Sequence, residues 1–175
     1  MEIKTEFGEI ISCFHSDTIK SRNFYEVLDE IKDKNGYVII PHPFDSLRSS
    51  RLDFKRVMEL VKNYKDILLS IEVMNSRCIF NRFNRKALKF ANKMKLGKTA
   101  GSDAHFRFEI GNSYTIFENV SDENDIIKAL KKKENKIEGK LSIPLVHVFT
   151  VINKNMKKMT KKLLGKEKLN YILPI

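Results

Sequence analysis

Short apolar runs alternate with helix-periodic segments along most of this chain, and each run stops at a proline, a glycine or a polar residue. That alternation restricts the fold more than any other feature, because strands covered on both faces and linked by helices belong to α/β proteins with a parallel sheet or barrel. Two β-type runs, Glu2-Ile3-Lys4-Thr5 and Glu9 to Phe14, flank a turn at Gly8. Ser21 is positioned to cap a helix reaching about Lys34, with Phe24, Val27, Leu28 and Ile31 at helical spacing and Asn35-Gly36 as its stop. Tyr37 to Ile40 reads as a buried strand, and Asp53 caps a second helix with Val57, Leu60 and Val61 inward. Ile67 to Met74 is the next strand. A third helix from about Arg82 to Lys95 carries Ala87, Leu88, Phe90, Ala91 and Met94. Strands follow at Lys98 to Gly101 and Tyr114 to Phe117, then a helix from Ser121 or Asp122 to about Lys133, and a short strand at Lys136 to Glu138.

With 175 residues, 42% of them hydrophobic, the chain can build one ordinary core, which excludes a disordered tail or a mini-protein. No stretch approaches the roughly 18 to 20 apolar residues of a membrane helix, and the opening Met1-Glu2-Ile3-Lys4 lacks a signal-peptide layout, so a soluble cytoplasmic protein is expected. Cys13 and Cys78 lie in apolar surroundings without metal-type spacing and are expected to be buried, reduced thiols. The net charge of +11 is uneven. From Lys128 to Lys168 there are 13 basic residues against Glu134, Glu138 and Glu167, whereas the preceding 127 residues hold 20 basic and 19 acidic groups.

In α/β sheets and barrels chemistry gathers beyond the carboxyl ends of strands, and the informative polar residues fall there. His42 follows Ile40 directly, held between Pro41 and Pro43. Asp103 and His105 follow the strand ending at Gly101, and Asn75 ends the strand before it. Imidazole nitrogens and carboxylate oxygens are the donors that zinc, manganese or iron takes. The same residues also read as a strand-terminating turn and an Asx turn.

Three segments together resemble the polymerase-and-histidinol-phosphatase (PHP) family of metal-dependent phosphoesterases: Gly36 to Asp45, which contains Pro41-His42-Pro43, then Ile71 to Arg77, and Thr99-Ala100-Gly101-Ser102-Asp103-Ala104-His105. The resemblance runs from Met1 to about Ile137. It implies an incomplete, distorted (βα)7 TIM-like barrel of the PHP type over residues 1–140, followed by a basic amphipathic helix and tail over 141–175. It also implies divalent metal ions (Mn, Zn or Fe), with Glu2, Glu9, His42, Asp103 and His105 as ligands and with His42, Asp103 and His105 as the catalytic set. Glu2 resembles the family's bridging glutamate, and Glu9 stands where many members have histidine. The family's opening His-x-His strand has no counterpart in this sequence, so a complementing N-terminal segment or an oligomer is expected to complete the site. Arg48, Arg77 and Lys98 are candidates to neutralise a phosphate, although each is expected to face solvent.

Pro144 to Leu164 alternates lysines with apolar residues at helical spacing, as a docked amphipathic helix or a phosphate-contacting surface would. Three functions remain open. One is a metal-dependent phosphoesterase acting on a phosphorylated small molecule or nucleic acid together with a complementing chain. The second is a non-catalytic subunit that binds RNA or a protein partner through its basic C-terminus. The third is a stand-alone hydrolase.

Overall fold

A computed structural model describes residues 1–146 and 150. The chain divides into two units, Met1–Leu141 and Ser142–Ile175. Most of the proposed basic helix lies outside the described residues.

Seven strands and four helices occur among the described residues. Strands β1 (Glu2–Thr5) and β2 (Gly8–Cys13) form an antiparallel hairpin. At its tight turn Gly8 adopts φ +125°, and a Cβ there would lie 2.5 Å from the Cα of Leu52. Helix α1 (Phe24–Asp33) precedes β3 (Tyr37–Ile40), α2 (Phe54–Asn63) precedes β4 (Leu68–Asn75), and α3 (Asn81–Met94) precedes β5 (Gly97–Gly101). The five strands are ordered β1-β2-β3-β4-β5. A separate antiparallel pair is formed by β6 (Ser113–Phe117) and β7 (Asn135–Gly139), with α4 (Glu123–Lys132) between them.

The sheet is mixed, where the strand-helix alternation led us to expect parallel strands. Pairs β3–β4 and β4–β5 are parallel, but β2 runs antiparallel to β3, with Cys13 opposite Tyr37. The connection explains this. Residues 14–23 carry the chain to the hairpin turn, where the Glu6 carboxylate accepts the Phe24 N–H at 2.9 Å, and α1 brings it back to the end at which β2 finished. An acidic group at a helix N-terminus also complements the helix dipole. The carboxylate of Glu30 secures the outgoing segment by accepting the backbone N–H groups of Lys20 and Ser21.

The N-cap of α1 is Asn23 rather than Ser21: its side chain accepts the N–H groups of Tyr25 and Glu26, while Ser21 Oγ accepts from Asn23 N and donates to Glu26. Asp53 and Asp122 cap α2 and α4. Phe24, Val27, Leu28 and Ile31 of α1, Val57 and Leu60 of α2, and Ala87 and Ala91 of α3 join Ile3, Ile10, Val38, Ile40 and Ile71 in one core. On α3 the small side chains of Ala87 and Ala91 make the inward stripe, and Leu88, expected among the apolar residues, is exposed. Cys78 is buried and Cys13 half-buried, both as free thiols, and burial pushes the Cys13 thiol up to about 11.

The free edge of β5 is covered by side chains instead of a sixth strand. Thr115 Oγ1 accepts the Ala100 N–H at 2.9 Å, Ser113 Oγ donates to Gly101 O at 2.7 Å, and Asn135 Nδ2 donates to Lys98 O at 2.9 Å. Such capping satisfies an edge that would otherwise pair with other chains. At the start of β5, a Cβ on Gly97 would meet Leu69 O at 2.4 Å and Leu130 O at 3.0 Å. Backbone atoms on two sides leave little room to relax. Gly97→Ala is expected to destabilise the chain by about 1–3 kcal/mol, read as a lower urea midpoint at unchanged slope; an unchanged midpoint would show the approach to be loose.

Candidate functional site

The polar residues at the ends of β3, β4 and β5 meet around a buried carboxyl. His42 has φ +29° and is 5% exposed. Its neighbours Pro41 and Pro43 have no amide hydrogen, so the one N–H of this tripeptide is that of His42, and it donates to Glu72 Oε2 at 2.8 Å. Asn75 Nδ2 donates to the same oxygen at 3.0 Å and to Asp103 Oδ2 at 3.3 Å. A Cβ on Gly101 would lie 2.6 Å from Glu72 Oε1, so the absence of a side chain on β5 makes room for the carboxyl. Asp103 also has positive φ, +51°. Seven non-glycine residues have positive φ among the described residues, and of these His42 and Asp103 stand at the strand ends that form the site.

Arg48 and Arg77 were expected in solvent, and both turn inward. Arg48 Nε donates to Asp45 at 3.2 Å, its Nη2 donates to Asn75 Oδ1 at 3.3 Å, and its Nη1 forms a close ion pair with Asp103. Buried Asp45 and half-buried Asp103 supply the negative charge that makes this position favourable for a guanidinium. Arg77 is 4% exposed and pairs at 2.6 Å with Glu109, which has no exposed surface. The same Glu109 oxygen accepts the N–H groups of His105 and Phe106 at 3.0 and 3.1 Å, fixing the loop after Asp103. Lys98 is half-buried and reaches Asn92.

Of the five proposed ligands, Glu2 neighbours Glu9 and Glu9 neighbours His42. Glu2 and Glu9 lie diagonally on one face of the hairpin with their carboxyl groups in contact, and Glu9 Oε2 is 3.7 Å from His42 Nε2. Asp103 lies near enough to influence both Glu2 and His42 but is engaged by Arg48. His105 is 42% exposed along its side chain. Its Nδ1 lies 3.8 Å from Asp103 Oδ1 and hydrogen-bonds the Asp103 backbone oxygen at 2.9 Å. Among the described residues no group of three or more His, Cys, Asp or Glu is arranged to hold a metal ion. Arg48 accounts for this physically, since it already neutralises the carboxylate that would close such a group.

Burial, and then the charge of Arg48, lower the His42 pKa to about 4, so the ring is neutral near pH 7 and its Nδ1 has no hydrogen-bond partner among the described residues. Burial raises Glu72 to about 7 against the bonds from Asn75 and His42. Burial and the neighbouring Glu9 raise Glu2. Burial would raise Asp103 too, but Arg48 and Asn75 together hold it below the usual carboxylate range. Glu72 and Asp45 were not among the residues singled out from the sequence. Glu72 carried a usable signal, being the one ionisable residue within Leu68–Asn75.

These shifts have opposite consequences for stability. For His42, lowered from 6.5 to about 4, the stability present above pH 6.5 is lost as pH falls toward 4, because the unfolded chain protonates first. For Glu72, raised from 4.5 to about 7, the stability present below pH 4.5 is lost as pH rises toward 7. Relative to the unmodified protein, Glu72→Gln is therefore expected to gain stability between pH 4.5 and 7, and His42→Asn to gain it as pH falls from 6.5 to 4. Each difference amounts to about 3 kcal/mol across its window. Urea titrations at several pH values read the slopes, and two parallel difference curves would contradict the assignment.

A mixed α/β sheet with acid and histidine side chains at its strand ends defines a class of protein with a strand-end polar site. Comparison with known proteins narrows it. Residues 81–135 match the PHP-associated family model. An uncharacterized protein of Methanocaldococcus jannaschii is 37% identical over 121 residues, 69% of this chain and 51% of that protein. Two solved structures share the fold at 16% identity. One is a two-domain protein from Bacteroides vulgatus containing a predicted PHP-like metal-dependent phosphoesterase, with TM-score 0.59 over 79% of this chain and 43% of that one. The other is PsfC from Pseudomonas syringae, with TM-score 0.61 over 89% of this chain and 64% of that one. The PHP-associated character of this chain is thus shown over residues 81–135. The chain spans about half the length of the curated relative it matches.

Proposed function

We propose that this chain contributes part of a PHP-type, metal-dependent phosphoesterase site, with Glu2, Glu9 and His42 as ligands to one divalent ion and Asp103 and His105 as ligands to a second. The observation that carries this reading is the contact of two carboxyl groups opposite a buried, neutral imidazole, with Glu9 at 3.7 Å from His42 Nε2. Two acids close together beside a neutral imidazole, which keeps one ring nitrogen free of a proton, suit a cation, and neutral imidazole is the form that binds a metal.

The donor types fit a divalent ion, whereas among the described residues no three of them are arranged to hold one. The remaining ligands therefore come from a complementing segment or a second chain, and the five-stranded sheet is read as one portion of an incomplete TIM-like barrel. A bound ion would supply an acidified water and Lewis-acid stabilisation of charge at phosphorus. The chain's own residues do the rest. Glu72 and Asn75 hold the His42 backbone and the Asp103 carboxylate. Arg48, resting on Asp103, is placed to transfer its guanidinium to a phosphate oxygen, for which its forked donors are suited.

Calorimetric titration of the full chain with Mn2+ and Zn2+ tests the ligand set. Binding is expected to weaken about tenfold or more in His42→Ala and Glu9→Gln, and to strengthen in Arg48→Ala, which releases Asp103. Hydrolysis of p-nitrophenyl phosphate is expected only when the complementing segment is added. Equal metal uptake by the unmodified chain and His42→Ala would refute the reading.

A further inference from the structure

We propose that a second site, on the outer face of α2 and α3, binds the base-and-phosphate unit of a nucleotide. This goes beyond the phosphoesterase reading and does not depend on it. The site is a cavity of about 370 Å³ whose floor is made by Phe44, Phe54 and Phe90. The three rings pack against one another, with centroids 5.3 to 6.0 Å apart. Phe44 is buried, Phe90 is half-buried, and Phe54 is 46% exposed, leaving apolar ring surface open to a flat partner. A phenylalanine face left open in this way accepts a base by stacking, with no preference for sequence.

The rim gives the partner its charge. Arg51, Lys86, Lys89 and Lys93 surround the rings, and no acidic residue lines the cavity. Among the described residues none of these four cations has a carboxylate partner; Lys86 instead lies over the Phe44 ring at 4.9 Å. Residues 86, 89 and 93 share one helix face and span about 10 Å along it at ~1.5 Å per residue. Helix α3 as a whole carries five basic residues and no acidic one. A row of unpaired cations beside exposed aromatic rings complements an anion that bears a planar apolar group. The chain's own segment 141–175, with seven lysines and one glutamate, has the wrong charge to fill it. With no acid or amide side chain on the lining, the side chains that can reach a base edge are the cationic donors Arg51, Lys86, Lys89 and Lys93, so the site is expected to accept all bases, with any preference toward guanine.

The unit has two sources, a free nucleotide or a single strand, and they are separated by titrating the full chain in EDTA with AMP and with a fluorescein-labelled (rA)12. EDTA keeps the measurement independent of metal binding, so failure of either proposal is seen separately. Binding of (rA)12, with or without AMP, identifies a strand site, and binding of AMP alone a mononucleotide site. In either case K86E/K89E is expected to weaken binding at least tenfold, and for the strand to flatten the dependence of log K on log salt by about 1.4. Phe54→Ala is expected to weaken binding about tenfold while leaving the weak binding of inorganic pyrophosphate unchanged. Circular dichroism confirms that each variant folds. Absence of binding by both ligands overturns the proposal. So does an equal loss in K62E/K65E, which changes the charge elsewhere, or in K157E/K158E, which changes it in the C-terminal segment.

Discussion

The side chain of Glu72 joins three strands at one point. It projects from β4, receives the His42 N–H from the loop after β3, and occupies the space left open by Gly101 of β5. Through Asn75 it also reaches Asp103. A carboxyl buried this deeply would be costly without partners, and its two donors offset part of that cost without cancelling it, so its pKa stays near 7. The positive-φ backbone of His42 is held by this bond together with the Asp45 N–H, which donates to the His42 carbonyl at 3.2 Å. Glu72 thus determines where the imidazole stands, although it touches neither ring nitrogen.

A second set of buried charges performs the same task one loop further on. Glu109 is fully buried and gathers Arg77 and two backbone N–H groups onto one oxygen. A buried ion pair is weak evidence for stability, since desolvation opposes the attraction, but it can specify one arrangement of a loop. Here the arrangement is that of Asp103 to His105. Arg48 performs a related role with Asp45 and Asp103. It also keeps two carboxylates from facing one another unneutralised, which is the service a metal ion would perform in its place.

Strand and helix positions were legible because their signals are local. Asp53 and Asp122 cap helices as read, Pro41 ends β3, and the i, i+3, i+4, i+7 spacing from Phe24 to Ile31 marks the buried face of α1. What escaped was determined by residues far apart in the chain. The return of the chain between β2 and β3 is tied down by the Glu6 carboxylate, which accepts the N–H of Phe24, 18 positions away. Arg77 is buried because Glu109 is, 32 positions away. The proposed ligands reached one neighbourhood without forming a closed group, and no periodicity could have shown that Arg48 would stand on Asp103.

The first 127 residues sum to nearly zero and the excess basic charge lies toward the C-terminus, but a sum says nothing of how charges are arranged within the body. In three dimensions the body is polarised. Glu2, Glu9, Glu72, Asp45 and Asp103 gather at the strand ends, while the five cations of α3 line a helix with no acid among them. The loop from His42 to Asp53 connects these regions, carrying His42 at one end and supplying Phe44 to the aromatic floor. Over distances shorter than a Debye length of about 8 Å it is this local arrangement, not the sum over the chain, that an approaching charge meets.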